Sequence, residues 1–171
     1  MSMSHPGEIL GNADIVRPET VILTNVGLCH IEFLGSQENI FKAKSEILSY
    51  LQAGNTAIVN ADDPYLRRIH SDVYDVVGVG VDYGELRAEN IENETDQVRF
   101  TVSIGGRSES FAFGVPGLHN VRNCLAAIAA GLKYGLTPDQ IRAGLLAYTP
   151  SKNRMDIEKA GGVTLINDSY N

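Results

Sequence analysis

Val21-Ile22-Leu23-Thr24-Asn25-Val26-Gly27 is a short apolar run that ends in a polar turn. It is too short for a helix, and Asn25 and Gly27 close it, so it reads as a buried strand. Downstream, Ser36 offers a helix cap and Glu38 an acidic first turn. Apolar residues then recur from Ile40 to Leu51 until Gly54 stops the helix. Residues 56–59 form a second apolar strand, Asp62-Asp63-Pro64 opens a short helix, and residues 75–81 form a third strand. Strands that alternate with helices predict an α/β fold, a doubly wound and mostly parallel sheet with helices on both faces. The middle of the chain changes character. Residues 86–91, 98–104 and 110–115 alternate apolar and polar positions between turns at 93–96 and at Gly105-Gly106. This predicts a small antiparallel β meander beside the main sheet. Helices over 119–134 and 137–148 follow, the second with Pro138 just inside its start, and residues 163–166 read as a last buried strand.

The composition fits one globular domain, residues 1–171, with 43% hydrophobic and 20% charged residues. A net charge of −7 speaks against the basic face that a nucleic acid would need. It leaves room for a nucleotide, since a few cations and backbone N–H groups hold phosphates on an acidic protein. Cys29 and Cys124 are too few for a disulfide scaffold and read as reduced thiols of a cytoplasmic protein. No apolar run is long enough for membrane insertion, and the start shows no basic region followed by an apolar one. The chain starts without a clear first element and stops inside Asn167-Asp168-Ser169-Tyr170-Asn171, so it reads as a piece of a longer protein.

Four stretches carry candidate chemistry. Thr24 to Glu32 follows a strand, where open α/β sheets bind ligands, and offers Thr24, Asn25 and His30. His30 could ligate a metal, act as a base or simply pack, and a lone histidine is more often structural. Cys29 and His30 are adjacent on what reads as extended chain, which points them apart and argues against a dyad. Lys44 falls on the Ile40, Ile47, Leu51 stripe of its helix, whereas Lys42 points away. Its stem either snorkels to the rim or its buried amine has a lowered pKa and can take up CO₂ as a carbamate. Asn120 and Asn123 share the first turn of the 119–134 helix, and two amides there suit a purine edge; a helix cap explains one of them well and the second poorly. Arg154 could pair with phosphate and Asp168 could accept from a ribose. Gly78-x-Gly80-x-x-x-Gly84 lacks dinucleotide spacing and reads as a strand exit and turn. No Walker-type phosphate loop occurs.

In their order, these segments resemble the Mur ligase family over essentially the whole chain. Thr24-Asn25-Val26-Gly27-Leu28-Cys29-His30 is similar to its TN-x-G-x-x-H segment, and Ala43-Lys44-Ser45-Glu46-Ile47 to its A-K-x-E-I helix. Gly117 to Ala127 matches its G-x-H-N-x-x-N-x-x-A-A helix. The resemblance implies the central ATP-binding domain of such a ligase. It implies that His30 and carbamylated Lys44 hold magnesium, with Thr24 and Asn25 nearby. It implies ATP contacts from His119, Asn120, Asn123, Arg154 and Asp168. His5-Pro6-Gly7-Glu8-Ile9 and the terminal Asp168-Ser169-Tyr170-Asn171 resemble the MurF branch. That branch joins UDP-N-acetylmuramoyl-tripeptide to D-alanyl-D-alanine through an acyl phosphate in peptidoglycan synthesis. The same resemblance sets the phosphate loop, a metal-binding Glu, a UDP-sugar domain and a C-terminal domain outside residues 1–171, so the chain alone is expected to be inactive. Three alternatives remain at this point: a sister ligase of the MurE or folylpolyglutamate synthase kind, a non-catalytic partner subunit of the same fold, and, weakest, a dinucleotide-binding module built on the Gly78 to Gly84 run.

Overall fold

Ala57, Ile58 and Val59 form an unbroken apolar run after Thr56, and all four are buried, as in a strand covered on both faces. β2 (Thr56–Asn60) is such a strand, paired in parallel with β1 (Thr20–Leu23) and β3 (Asp75–Gly80). The structure, a computed structural model, describes residues 3–149 and 156–167. Successive β2 side chains serve opposite faces. Ile58 joins the core built on α4 (Leu118–Lys133), with Val121, Leu125 and Ile128. Ala57 and Val59 join the core under α1 (Glu8–Val16) and α3 (Gln37–Ser45), with Ile9, Ile40 and Leu66. Helices therefore cover both faces, as expected.

The meander is not beside the main sheet but part of it. β4 (Leu86–Asn93) pairs in parallel with β3 at Val79–Leu86 and Gly80–Arg87, then antiparallel with β5 (Val98–Ile104), which pairs with β6 (Arg107–Phe113). The result is one six-stranded sheet in the order β1-β2-β3-β4-β5-β6. Phe100, Phe111 and Val98 bury one face of the meander against α4. Thr137 caps α5 (Pro138–Leu146) in a reciprocal box with Gln140.

Four readings are corrected. The helix after Ser36 does reach the expected cap, Ser36 accepting from the Asn39 N–H, but at Glu46 it tightens into a 3-10 turn, Glu46–Tyr50. The Asp62-Asp63-Pro64 segment opens only a 3-10 turn, Leu66–Arg68. β1 lies at the sheet edge, with Val21 buried but Ile22 43% exposed. Residues 163–166 belong to β8 (Val163–Asn167), which pairs antiparallel with β7 (Asp156–Ala160) in a separate hairpin. Val163 and Leu165 are exposed, so this is no buried strand of the parallel sheet. Gly161-Gly162, both at positive φ, supplies the turn that a two-residue hairpin loop demands.

Helix α1 was not legible. Its cap is not a local Ser or Thr: Gly7 precedes it at φ 88°, and the orphan N–H groups of Gly7 and Leu10 donate to the Glu46 carboxylate at 2.8 and 3.1 Å. A cap supplied from 36 to 39 residues away leaves no local pattern.

Candidate active site

The loop after β1 leaves the sheet edge at Thr24 and turns back at His30, whose backbone is left-handed at φ 65°. That turn defeats the expectation that Cys29 and His30 point apart. Both line one pocket of about 180 Å³ with Asn25, Lys44, Met3 and Ile9. No hydrogen bond joins Cys29 to His30 among the described residues, so no dyad forms. The Lys44 amine donates to the Asn25 carbonyl at 2.8 Å. Lys44 is half-buried at the rim rather than sunk in the core, while Ile40 above it is fully buried and Lys42 is exposed. Thr24 does not line the pocket, but its carbonyl accepts from the Asn60 amide at 2.9 Å. Met3 and Ile9 come from the segment that Glu46 ties down, so Glu46 of the Ala43–Ile47 stretch helps to close the pocket.

A second pocket, about 440 Å³, lies between α4 and α5. Asn120 and Asn123 stand at one side, and Phe113, Tyr148 and Ile141 give it apolar and aromatic walls. Phe113 and Tyr148 have ring centroids 5.0 Å apart. A slot with apolar walls and a few amides suits a flat heterocycle. Asn120 is partly spent, since its amide donates to the Pro116 carbonyl at 2.9 Å. Asn123 is exposed. His119 does not line the pocket. Its ring instead folds over Gly117, where a Cβ would lie 2.7 Å from His119 Cε1. Cys124 is on the pocket wall, and burial pushes its thiol up to about 12. Arg154 and Asp168 lie outside the described residues.

Sequence reasoning missed the strand-end carboxylates. Asp62 accepts from the Val81, Asp82 and Tyr83 N–H groups at 2.9 to 3.0 Å and from Arg122 Nε at 2.7 Å. Its side chain is only 7% exposed. Burial pushes its carboxyl up, but these bonds outweigh it and hold it below the usual 3.8. The glycine run explains itself here: a Cβ at Gly80 would stand 2.5 Å from Asp62 Oδ1, so only glycine lets the chain wrap that carboxylate. The run is a strand exit and turn, as expected.

The Mur ligase middle-domain family model matches residues 1–131. The chain belongs to the Mur ligase family. Over 172 residues it is 32% identical to the UDP-N-acetylmuramoyl-tripeptide--D-alanyl-D-alanine ligase of Bacillus subtilis, covering all of this chain and 37% of that protein. It is also 32% identical to the ligase of the same name from Escherichia coli, covering 39% of it. The crystal structure of MurF from Acinetobacter baumannii superposes with a TM-score of 0.91 at 27% identity, over 99% of this chain and 38% of that one. The chain thus spans less than two fifths of these Mur ligases.

Proposed function

We propose that this Mur ligase chain is the ATP-handling middle part of a MurF-type enzyme. That enzyme would join UDP-N-acetylmuramoyl-tripeptide to D-alanyl-D-alanine in peptidoglycan synthesis, in the cytoplasm. The observation that carries this reading is the gathering of Asn25, His30 and Lys44 around one strand-end pocket. Relatives bearing that ligase name match the whole chain.

The chemistry is the one the family resemblance implies. In it, the slot beside Asn123 takes the adenine of ATP, and the Asn123 amide, without a hydrogen bond among the described residues, would bond its edge. The γ-phosphoryl group passes to the tripeptide carboxylate and ADP departs. The amine of D-alanyl-D-alanine attacks the acyl carbon, its proton leaves to solvent, and phosphate departs. Lys44, once its neutral amine has taken up CO₂ and released a proton, presents a carboxylate-like group beside His30. Magnesium when bound would neutralise phosphate charge. His30 and the Lys44 carbamate, which share this pocket, would hold such an ion, with waters and phosphate oxygens supplying its remaining ligands. Among the described residues no cluster of three His, Cys, Asp or Glu is present.

The test uses the full-length polypeptide that carries this segment. ADP release should require both UDP-N-acetylmuramoyl-tripeptide and D-alanyl-D-alanine. ADP release with a single amino acid in place of the dipeptide would assign a sister branch, and binding of ATP without turnover would assign a non-catalytic subunit.

A further inference from the structure

The end of β2 touches both halves of the candidate site. On one side Asn60 Nδ2 holds the Thr24 carbonyl at 2.9 Å, and Asp63 Oδ2 accepts from the Val26 N–H at 2.7 Å. These bonds fix the loop that presents Asn25. On the other side Asp62 Oδ2 holds Arg122 Nε, on the first turn of α4 between Asn120 and Asn123. The segment itself is tied down by further hydrogen bonds. The Asp62 N–H donates to Asn60 Oδ1, the Ala61 N–H donates to the Val79 carbonyl, and Asp63 Oδ1 accepts from the Tyr65 and Leu66 N–H groups.

We propose that Asn60-Ala61-Asp62-Asp63 is a two-armed clamp that sets the Asn25 loop and the Asn120–Asn123 turn at a fixed separation, with Asp62 and Asp63 as positioning residues. The inference rests on the nucleotide reading given above. Neither residue lines the pocket at Asn25 or the one at Asn123. Each needs both carboxylate oxygens as acceptors. Asp62 takes the Asp82 and Tyr83 N–H groups on Oδ1, and Val81 and Arg122 on Oδ2. An amide in its place turns a donor toward one of those donor pairs. Asp63 is in the same position, with Val26 on one oxygen and two N–H groups on the other. The arms are separable, because the partners of Asp62 and Asp63 do not overlap.

The experiment uses the full-length polypeptide carrying this segment, with Asp62→Asn, Arg122→Met, Asp63→Asn and Asn60→Ser. ADP affinity is read by calorimetry, and kcat and the ATP KM by turnover, both per folded molecule. Asp62→Asn and Arg122→Met should each weaken ADP binding and raise the ATP KM about tenfold or more, the scale of losing a supporting partner behind a binding residue. Asp63→Asn and Asn60→Ser should lower kcat by about the same factor with ADP affinity within about twofold of wild type. Arg122→Met leaves the three N–H bonds to Asp62 intact, so it reads the first arm even if Asp62→Asn fails to fold; Asn60→Ser does the same for the second. Unchanged ADP affinity in Arg122→Met, or all variants losing folded protein with normal constants in what remains, would overturn the clamp. ADP binding by wild type without ligation would overturn the ligase reading and leave the Arg122 arm measurable.

Discussion

Gly117→Ala is the sharpest perturbation of the nucleotide-side helix. Gly117 has φ 114° and ψ 139°, where a side chain meets its own backbone. Holding a non-glycine residue in such a region costs about 1–3 kcal/mol. The new Cβ would also stand 2.7 Å from His119 Cε1 and 3.0 Å from Nδ1. His119 is exposed and can swing away, at about 0.5–1.5 kcal/mol for an off-rotamer side chain. Against this, alanine narrows the unfolded ensemble and returns about 0.4–1 kcal/mol. The Gly117 N–H bond to Asn93 Oδ1 survives the change, so it does not enter. The net loss should be about 0.5–4 kcal/mol by these same terms. Equilibrium urea unfolding should show a lower midpoint with an unchanged slope. In a His119→Ala background the steric part disappears and the backbone part stays, so the loss shrinks without vanishing. A Gly117→Ala chain as stable as wild type, to within about 0.5 kcal/mol of ordinary surface scatter, would refute the argument.

Three further outcomes follow from the same geometry. In the full-length polypeptide, Lys44→Ala should cost about 100-fold or more in kcat, the scale of losing one preorganised group at a reacting phosphate, while exposed Lys42→Ala should be nearly silent. Bicarbonate labelled with carbon-13 should give a carbamate signal that Lys44→Ala abolishes, and equal effects of the two substitutions would count against the assignment. Iodoacetamide at neutral pH should modify exposed Cys29 and spare Cys124, whose thiol sits at about 12; peptide mapping that finds Cys124 modified first in folded protein would contradict the structure. Asp62 has a folded pKa below its unfolded value, so its contribution to stability is complete above the unfolded pKa and is lost as pH falls through the folded one. Acid titration of unfolding free energy should therefore fall less steeply in Asp62→Asn than in wild type, and parallel curves would remove Asp62 from the account.

The parts of this molecule that were legible in the sequence are those decided locally. Ser36 and Thr137 cap helices from within their own turn, and the apolar run at 56–59 could only be a strand covered on both faces. His30 and Lys44 drew attention because each stands at an odd place in such a pattern and matches a family segment, and the structure puts both on one pocket. The stripe was slightly idealised: the helix becomes a 3-10 turn at Glu46, so Ile47 and Leu51 do not continue it at regular spacing. What stayed hidden is decided at a distance. α1 is capped by Glu46, β8 pairs with β7 rather than with the parallel sheet, and the fold of His119 over Gly117 depends on a glycine conformation that no periodicity reveals.

Asp62 and Asp63 show where the boundary lies. Asp63 does what a strand-to-helix aspartate is expected to do, accepting from the Tyr65 and Leu66 N–H groups at the next turn. That local duty masks its second bond, to Val26, which lies 37 positions earlier. The Asp62 carboxylate has no local duty: its partners stand 19 to 21 and 60 positions away. A buried carboxylate with only remote partners costs more to desolvate than a surface one and is tolerated only when those partners are fixed. Gly80 makes that fixation possible, because any side chain there would collide with Asp62 Oδ1. The glycine, the carboxylate and Arg122 are thus one device, and Gly80→Ala should disturb α4 through Asp62 although Gly80 lies on β3.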